Sequence, residues 1–198
     1  MTETMRSPTR ALFESLAKLY KQGQLLLMDA DRLMGEHGWE PTNTTAPSGF
    51  SYSLNMPERW YARWAVRFYV PIASGGNDPS IDQVLFVSIH FASDLNTSLP
   101  TDIDEPLVSA GCIKYKKPMT AKVANKNYDY YMCKYWFFGK QHEALEGWRR
   151  TGGSKYSENL NGSETFTVPL YQITSSEKLK ELVINPLLAA QEKEEGVA

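Results

Sequence analysis

From Leu12 to His37 the apolar positions of this chain recur in steps of four and three: Leu12, Leu16, Leu19, Gly23, Leu26, Ala30, Leu33 and His37. A second row at Phe13, Tyr20, Leu27 and Met34 widens the stripe. This is the period of an amphipathic α-helix, and a stripe so broad has to be covered by something. Ser7-Pro8 reads as the start, with serine as the cap and proline at the first helical position, where its missing N–H has no intrahelical partner. Gly38 supplies the stop. Some thirty residues at 1.5 Å each make a rod about 45 Å long. That exceeds what one domain of 198 residues ordinarily needs, so the helix is expected to overhang, to bend round a sheet or to pair with a second copy.

Beyond a loop rich in Thr, Asn, Pro and Gly between Glu40 and Ser53, the period changes to two. Trp60, Ala62, Trp64, Val66, Phe68 and Val70 alternate with Tyr61, Arg63, Ala65, Arg67 and Tyr69, which predicts a strand. Further strands are read at Val84 to Phe91, Leu107 to Tyr115, Tyr128 to Phe138 and Thr165 to Tyr171. The last contains Pro169, which argues for an edge position. The connections are too short for crossover helices, so the expected topology is an antiparallel meander. Gln141 to Arg150 reads as a short helix. Thr174-Ser175-Ser176-Glu177 is a capping box opening a C-terminal helix, which Pro186 should kink or divide. The fold class is therefore α+β: a five-stranded, mainly antiparallel sheet with a long N-terminal helix and a C-terminal helix, one domain over 1–190 with a frayed tail at 191–198.

Composition narrows the function classes. Twenty-one basic and twenty-three acidic residues leave a formal charge of −2, which provides no bulk attraction to nucleic acid or to an anionic membrane. No stretch approaches the roughly 20 apolar residues of a membrane span, and the N-terminus lacks the apolar run of a signal peptide. Two cysteines are too few for a disulfide framework, so a reducing cytoplasm is the expected compartment. No phosphate-binding glycine loop, nucleophile elbow or Cys-x-x-Cys pair occurs, and neither a catalytic constellation nor a metal or cofactor site is expected.

Five groups of residues remain to be weighed. Arg63 and Arg67 lie about 13 Å apart on one face of the first long strand, with Tyr61 and Tyr69, and could grip a small anionic ligand through paired guanidinium donors. The plain alternative is an outward face whose arginine stems lie over apolar neighbours. His90 ends the second strand near Asp94, a pairing suited to a general base or a ligand contact but with no nucleophile tied to it by spacing. Asp94, Asn96, Ser98, Pro100, Asp102 and Glu105 follow a calcium-loop spacing, although Leu99 stands where the sharp turn wants glycine. Lys114, Lys116, Lys117, Lys122, Lys126 and Lys134, interleaved with tyrosines, form a basic segment of the kind used on single-stranded nucleic acid, although Asp129 interrupts the run and a charge dipole between the acidic and basic loops accounts for it as well. Cys112 and Cys133 would face each other across a hairpin as small core residues. The reading that combines these is a non-catalytic binding or protein-interaction module acting as a homodimer. The alternative is a small enzyme or sensor that binds an anionic metabolite at Tyr61, Arg63, Arg67, Tyr69 and His90, and the third is weak nucleic-acid binding through 114–134.

Overall fold

The computed structural model describes residues 8–42, 47–48, 64–72, 80–91, 105–120, 147–152 and 160–195. Helix α1 is described over Pro8–Glu36, and the Ser7 cap read before it lies outside the described residues. It closes on Gly38, whose φ of +82° is the left-handed conformation that glycine adopts without penalty. Seven strands follow: β1 (Trp39–Pro41), β2 (Pro47–Ser48), β3 (Trp64–Pro71), β4 (Ser80–His90), β5 (Leu107–Thr120), β6 (Arg149–Gly152) and β7 (Leu160–Pro169). All pair antiparallel in one open sheet of order β1-β3-β4-β5-β7-β6, with β2 beside β1 on the outer edge of β3. A 3-10 turn (Leu170–Gln172) leads to α2 (Ser176–Leu179), which runs through a π-helical turn (Lys180–Ile184) into α3 (Asn185–Glu195). The α+β class and the open antiparallel sheet between an N-terminal and a C-terminal helix are thus as the periodicity implies.

Several details differ from the sequence reading. The segment read as a loop after Glu40 contributes β1 and β2, and Arg149–Gly152, placed at the end of a short helix, is an edge strand. β6 flanks β7 on its outer side over Gly162–Thr165, and the half of β7 that ends in Pro169 has no outer neighbour among the described residues, in keeping with the edge position read for that proline. Pro169 is tolerated there because it is the last residue of β7, opposite Leu107, where the ladder is ending. Both true edges are strands of four residues or fewer, a length that offers little template for unwanted pairing. The expected fourth strand, Tyr128 to Phe138, lies outside the described residues. Ser175 rather than Thr174 caps α2, accepting from the Lys178 amide at 3.3 Å. Pro186 sits at the second residue of α3, and the π turn that ends at Ile184 is the local rewinding that accommodates its missing N–H and its ring.

One face of the sheet carries the main core. Leu27, Ala30, Leu33 and Met34 of α1 and Leu179, Val183, Ile184 and Leu187 of the C-terminal helices pack with Leu85, Val87, Ile89, Val108, Ala110 and Phe166. Each fully buried side chain of this size contributes roughly 1.5–3 kcal/mol of hydrophobic stabilisation. Gly23 lets α1 lie close to the end of β4: a Cβ there would sit 2.7 Å from the ring of Phe91, which also meets Tyr20 edge-on at 5.0 Å. The opposite face is buried as well. Val66, Phe68, Val84, Phe86 and Ile113 are each at most 3% exposed.

Candidate functional site

Three arrangements bring polar or exposed apolar groups together, and each begins from a strand or helix register. The first lies beneath α1. Period two puts Ala65, Arg67 and Tyr69 of β3 on the core face, so the Arg/Tyr face read as outward is the one α1 covers. Asp31 projects from the edge of the helix stripe to meet them. Its carboxylate accepts from the Arg67 guanidinium at 2.7 Å and from the Tyr69 hydroxyl at 3.0 Å. Tyr69 is fully buried, and its phenol is held well above its ordinary pKa, first by burial and then by the Asp31 carboxylate. Arg67 therefore serves as half of an ion pair joining helix to sheet.

The second arrangement lies on the other face. The registers Val66↔Ser88, Ser88↔Ser109 and Ser109↔Thr167 put three hydroxyls in a row across β4, β5 and β7. Ser109 and Thr167 share a hydrogen bond at 3.0 Å, and Ser88 Oγ lies 2.8 Å from His90 Nε2. His90 is 4% exposed, and desolvation pushes its imidazole down to about pKa 3, so it is neutral at physiological pH. A neutral imidazole can donate to the serine or accept from it. Ser88 and His90 stand at the separation of a nucleophile and its base, but Ser88 is only 2% exposed. The arrangement satisfies polar groups inside an apolar face, as buried hydroxyls and imidazoles require.

The third is a groove of about 610 Å³ between α1 and the segment that leads from β7 into α2. Leu26, Leu170, Ile173 and Leu179 line it, with Leu19 and Leu25 along its helix side. Its charged lining residues, Asp29 and Glu105, are both acidic. Asp29 already accepts from Arg32 at 3.0 Å and from the Ser176 hydroxyl, a bond that ties α2 to α1. At the N-terminal end of the same helix the apolar stripe emerges from cover: Leu12 is 68% and Phe13 66% exposed, while Leu27 and Met34 are buried.

The five ligand candidates are thus distributed over more than one place. Arg67 and Tyr69 meet at Asp31, His90 lies across the sheet from them with Ser88, and Tyr61 and Arg63 fall outside the described residues. Lys114 pairs with Glu164 at 3.5 Å, and Lys116 and Lys117 are exposed at the end of β5. Lys122, Lys126 and Lys134 lie outside the described residues, as do Cys133 and every position of the calcium-like spacing except Glu105. Cys112 is buried in the main core. Among the described residues no cluster of three or more His, Cys, Asp or Glu could hold a metal ion, and no helix is long and apolar enough to cross a membrane.

Sequence reasoning missed Asp31, Ser88, Ser109, Thr167 and the groove. Ser88 and Ser109 left a faint signal, each interrupting a mostly apolar period-two face of β4 or β5, whereas Thr167 shares its face of β7 with Ser163 and Thr165 and left none. Asp31 left none, because its partners lie 36 and 38 residues away. Comparison with protein-family models, with curated proteins and with solved structures finds no match to this chain.

Proposed function

We propose that the chain is a non-catalytic protein-interaction module that works as a homodimer, with the uncovered half of α1 and its adjoining groove as the working surface. One observation carries this reading. The same apolar stripe that is buried from Gly23 to Met34 continues toward the N-terminus through Leu19, Leu16 and Leu12, where Leu12 and Phe13 are two-thirds exposed. Exposed large apolar groups that continue a buried stripe are the mark of an association surface. Among the described residues both faces of the sheet are buried, and four of the seven exposed large apolar side chains, Leu12, Phe13, Leu25 and Met28, lie on α1.

The test is the mass in solution. Light scattering over about 1 to 100 µM, the range of micromolar association, should give a dimer for the unaltered chain. A Leu12→Asp/Phe13→Asp variant should remain monomeric with an unchanged circular dichroism spectrum, since neither side chain packs in the core. A clean monomer mass for the unaltered chain throughout that range would overturn the reading.

A further inference from the structure

We propose that two copies associate through antiparallel contact of their α1 helices, the basic half of each lying along the acidic half, and in the groove, of the other. This rests on the interaction reading above and specifies its partner and geometry. Residues 8–21 of α1 carry Arg10, Lys18 and Lys21 against Glu14, while residues 22–36 carry Asp29, Asp31 and Glu36 against Arg32. Asp31 is neutralised by Arg67, and Glu105 on the far wall of the groove replaces it on the acidic side.

This polarity is unfavourable within one helix. A macrodipole favours acidic side chains at the N-terminus and basic ones at the C-terminus, yet the first turn of α1 has no acidic residue and the last turn no basic one. An antiparallel neighbour offsets both the reversed charges and the dipole, whereas a parallel neighbour would set like charges side by side. The groove extends the match. Its apolar floor lies beside the acidic half of α1, its charged lining is acidic, and its 610 Å³ holds several apolar side chains. The uncovered half of α1 offers such side chains in Leu12, Phe13 and Leu16, flanked by Arg10 and Lys18.

A two-fold axis between the helices uses each surface twice, since the patch on one copy meets the same patch on the other. Residues 8–22 span about 22 Å and a helix is about 10 Å wide. One overhang and one groove per copy then bury roughly 450 Å² each side, about 900 Å² in total. That is below the range of stable specific interfaces and in the range of weak, transient ones, in keeping with a weak dimer seen at micromolar concentrations.

Neutralising the basic half separates the arrangements. Arg10, Lys18 and Lys21 are exposed, and glutamine matches their helix propensity, so an Arg10→Gln/Lys18→Gln/Lys21→Gln variant should keep the fold, checked by circular dichroism and melting temperature. Sedimentation equilibrium should show its dimer about tenfold weaker than the unaltered dimer and nearly insensitive to added salt. A variant dimer that is unchanged or tighter overturns the antiparallel arrangement and leaves the homodimer reading standing. An unaltered chain that stays monomeric throughout overturns both.

Discussion

Acidification is where the burial of His90 becomes measurable. Its imidazole titrates near 6.5 when the chain is unfolded and near 3 when folded, because burial penalises the cation. Between those values the unfolded state binds the extra proton, so stability is fully present above pH 6.5 and is lost as the pH falls toward 3. Each pH unit in that window costs about 1.4 kcal/mol. At pH 5 the loss is about 2 kcal/mol, a sizeable share of the 5–15 kcal/mol of a typical domain.

The window from pH 7.5 to 5.0 isolates this effect from ordinary carboxylates, which titrate nearer 4. With a urea slope of about 2 kcal/mol per molar, the midpoint should fall by about 1 M across it. A His90→Gln variant keeps a polar partner for Ser88 and has nothing to protonate there. Its midpoint should fall by less than half as much over the same interval, whatever its stability at pH 7.5. Parallel curves for the two proteins would refute the buried-cation argument, and the loss would then belong to another group.

The remaining predictions concern packing. Asp31→Ala removes the acceptor of both the Tyr69 hydroxyl and an Arg67 N–H, and should cost about 3 kcal/mol in urea unfolding; Asp31→Asn, which still accepts from Tyr69, should cost distinctly less. Gly111→Ala should be worse, about 3 kcal/mol or more, because a Cβ there collides with the Glu164 carbonyl and comes within 2.9 Å of the Thr165 Cα, both backbone atoms of β7. Gly23→Val should lower the melting temperature by several degrees, since its Cβ meets Phe91 and Ile89 and pushes α1 away from the sheet.

Periodicity made the helices and the central strands legible, because each is set by residues a few positions apart. The stop at Gly38 and the disturbance by Pro186 are local chemistry and were readable as such. What escaped were relations over distance. The Asp31 contacts to Arg67 and Tyr69 join residues 36 and 38 positions apart, and the hydroxyl row needs the register of three strands at Ser88, Ser109 and Thr167. The strand order around β7 depends on β6, whose four residues are too few to show a period of two. β1 escaped for a further reason: Trp39–Pro41 is held by pairing with Tyr69–Pro71 and by the Ile72 amide donating to the Gly38 carbonyl, neither of which a loop-like composition reveals.

The excess length of α1 is the feature that these relations reinterpret. A helix needs only enough residues to cross the sheet it covers, and here the crossing is complete between Gly23 and Met34. Were the preceding turns a solvated extension, polar residues would be expected at the inward stripe positions. Leu12, Leu16 and Leu19 stand there instead, the first exposed and the other two half-buried, and exposing apolar area confers nothing on a monomer. Among the described residues both faces of the sheet are already buried. Under the homodimer proposal a second copy of α1 supplies that cover, because its stripe, charge order and dipole match this half of the helix at once.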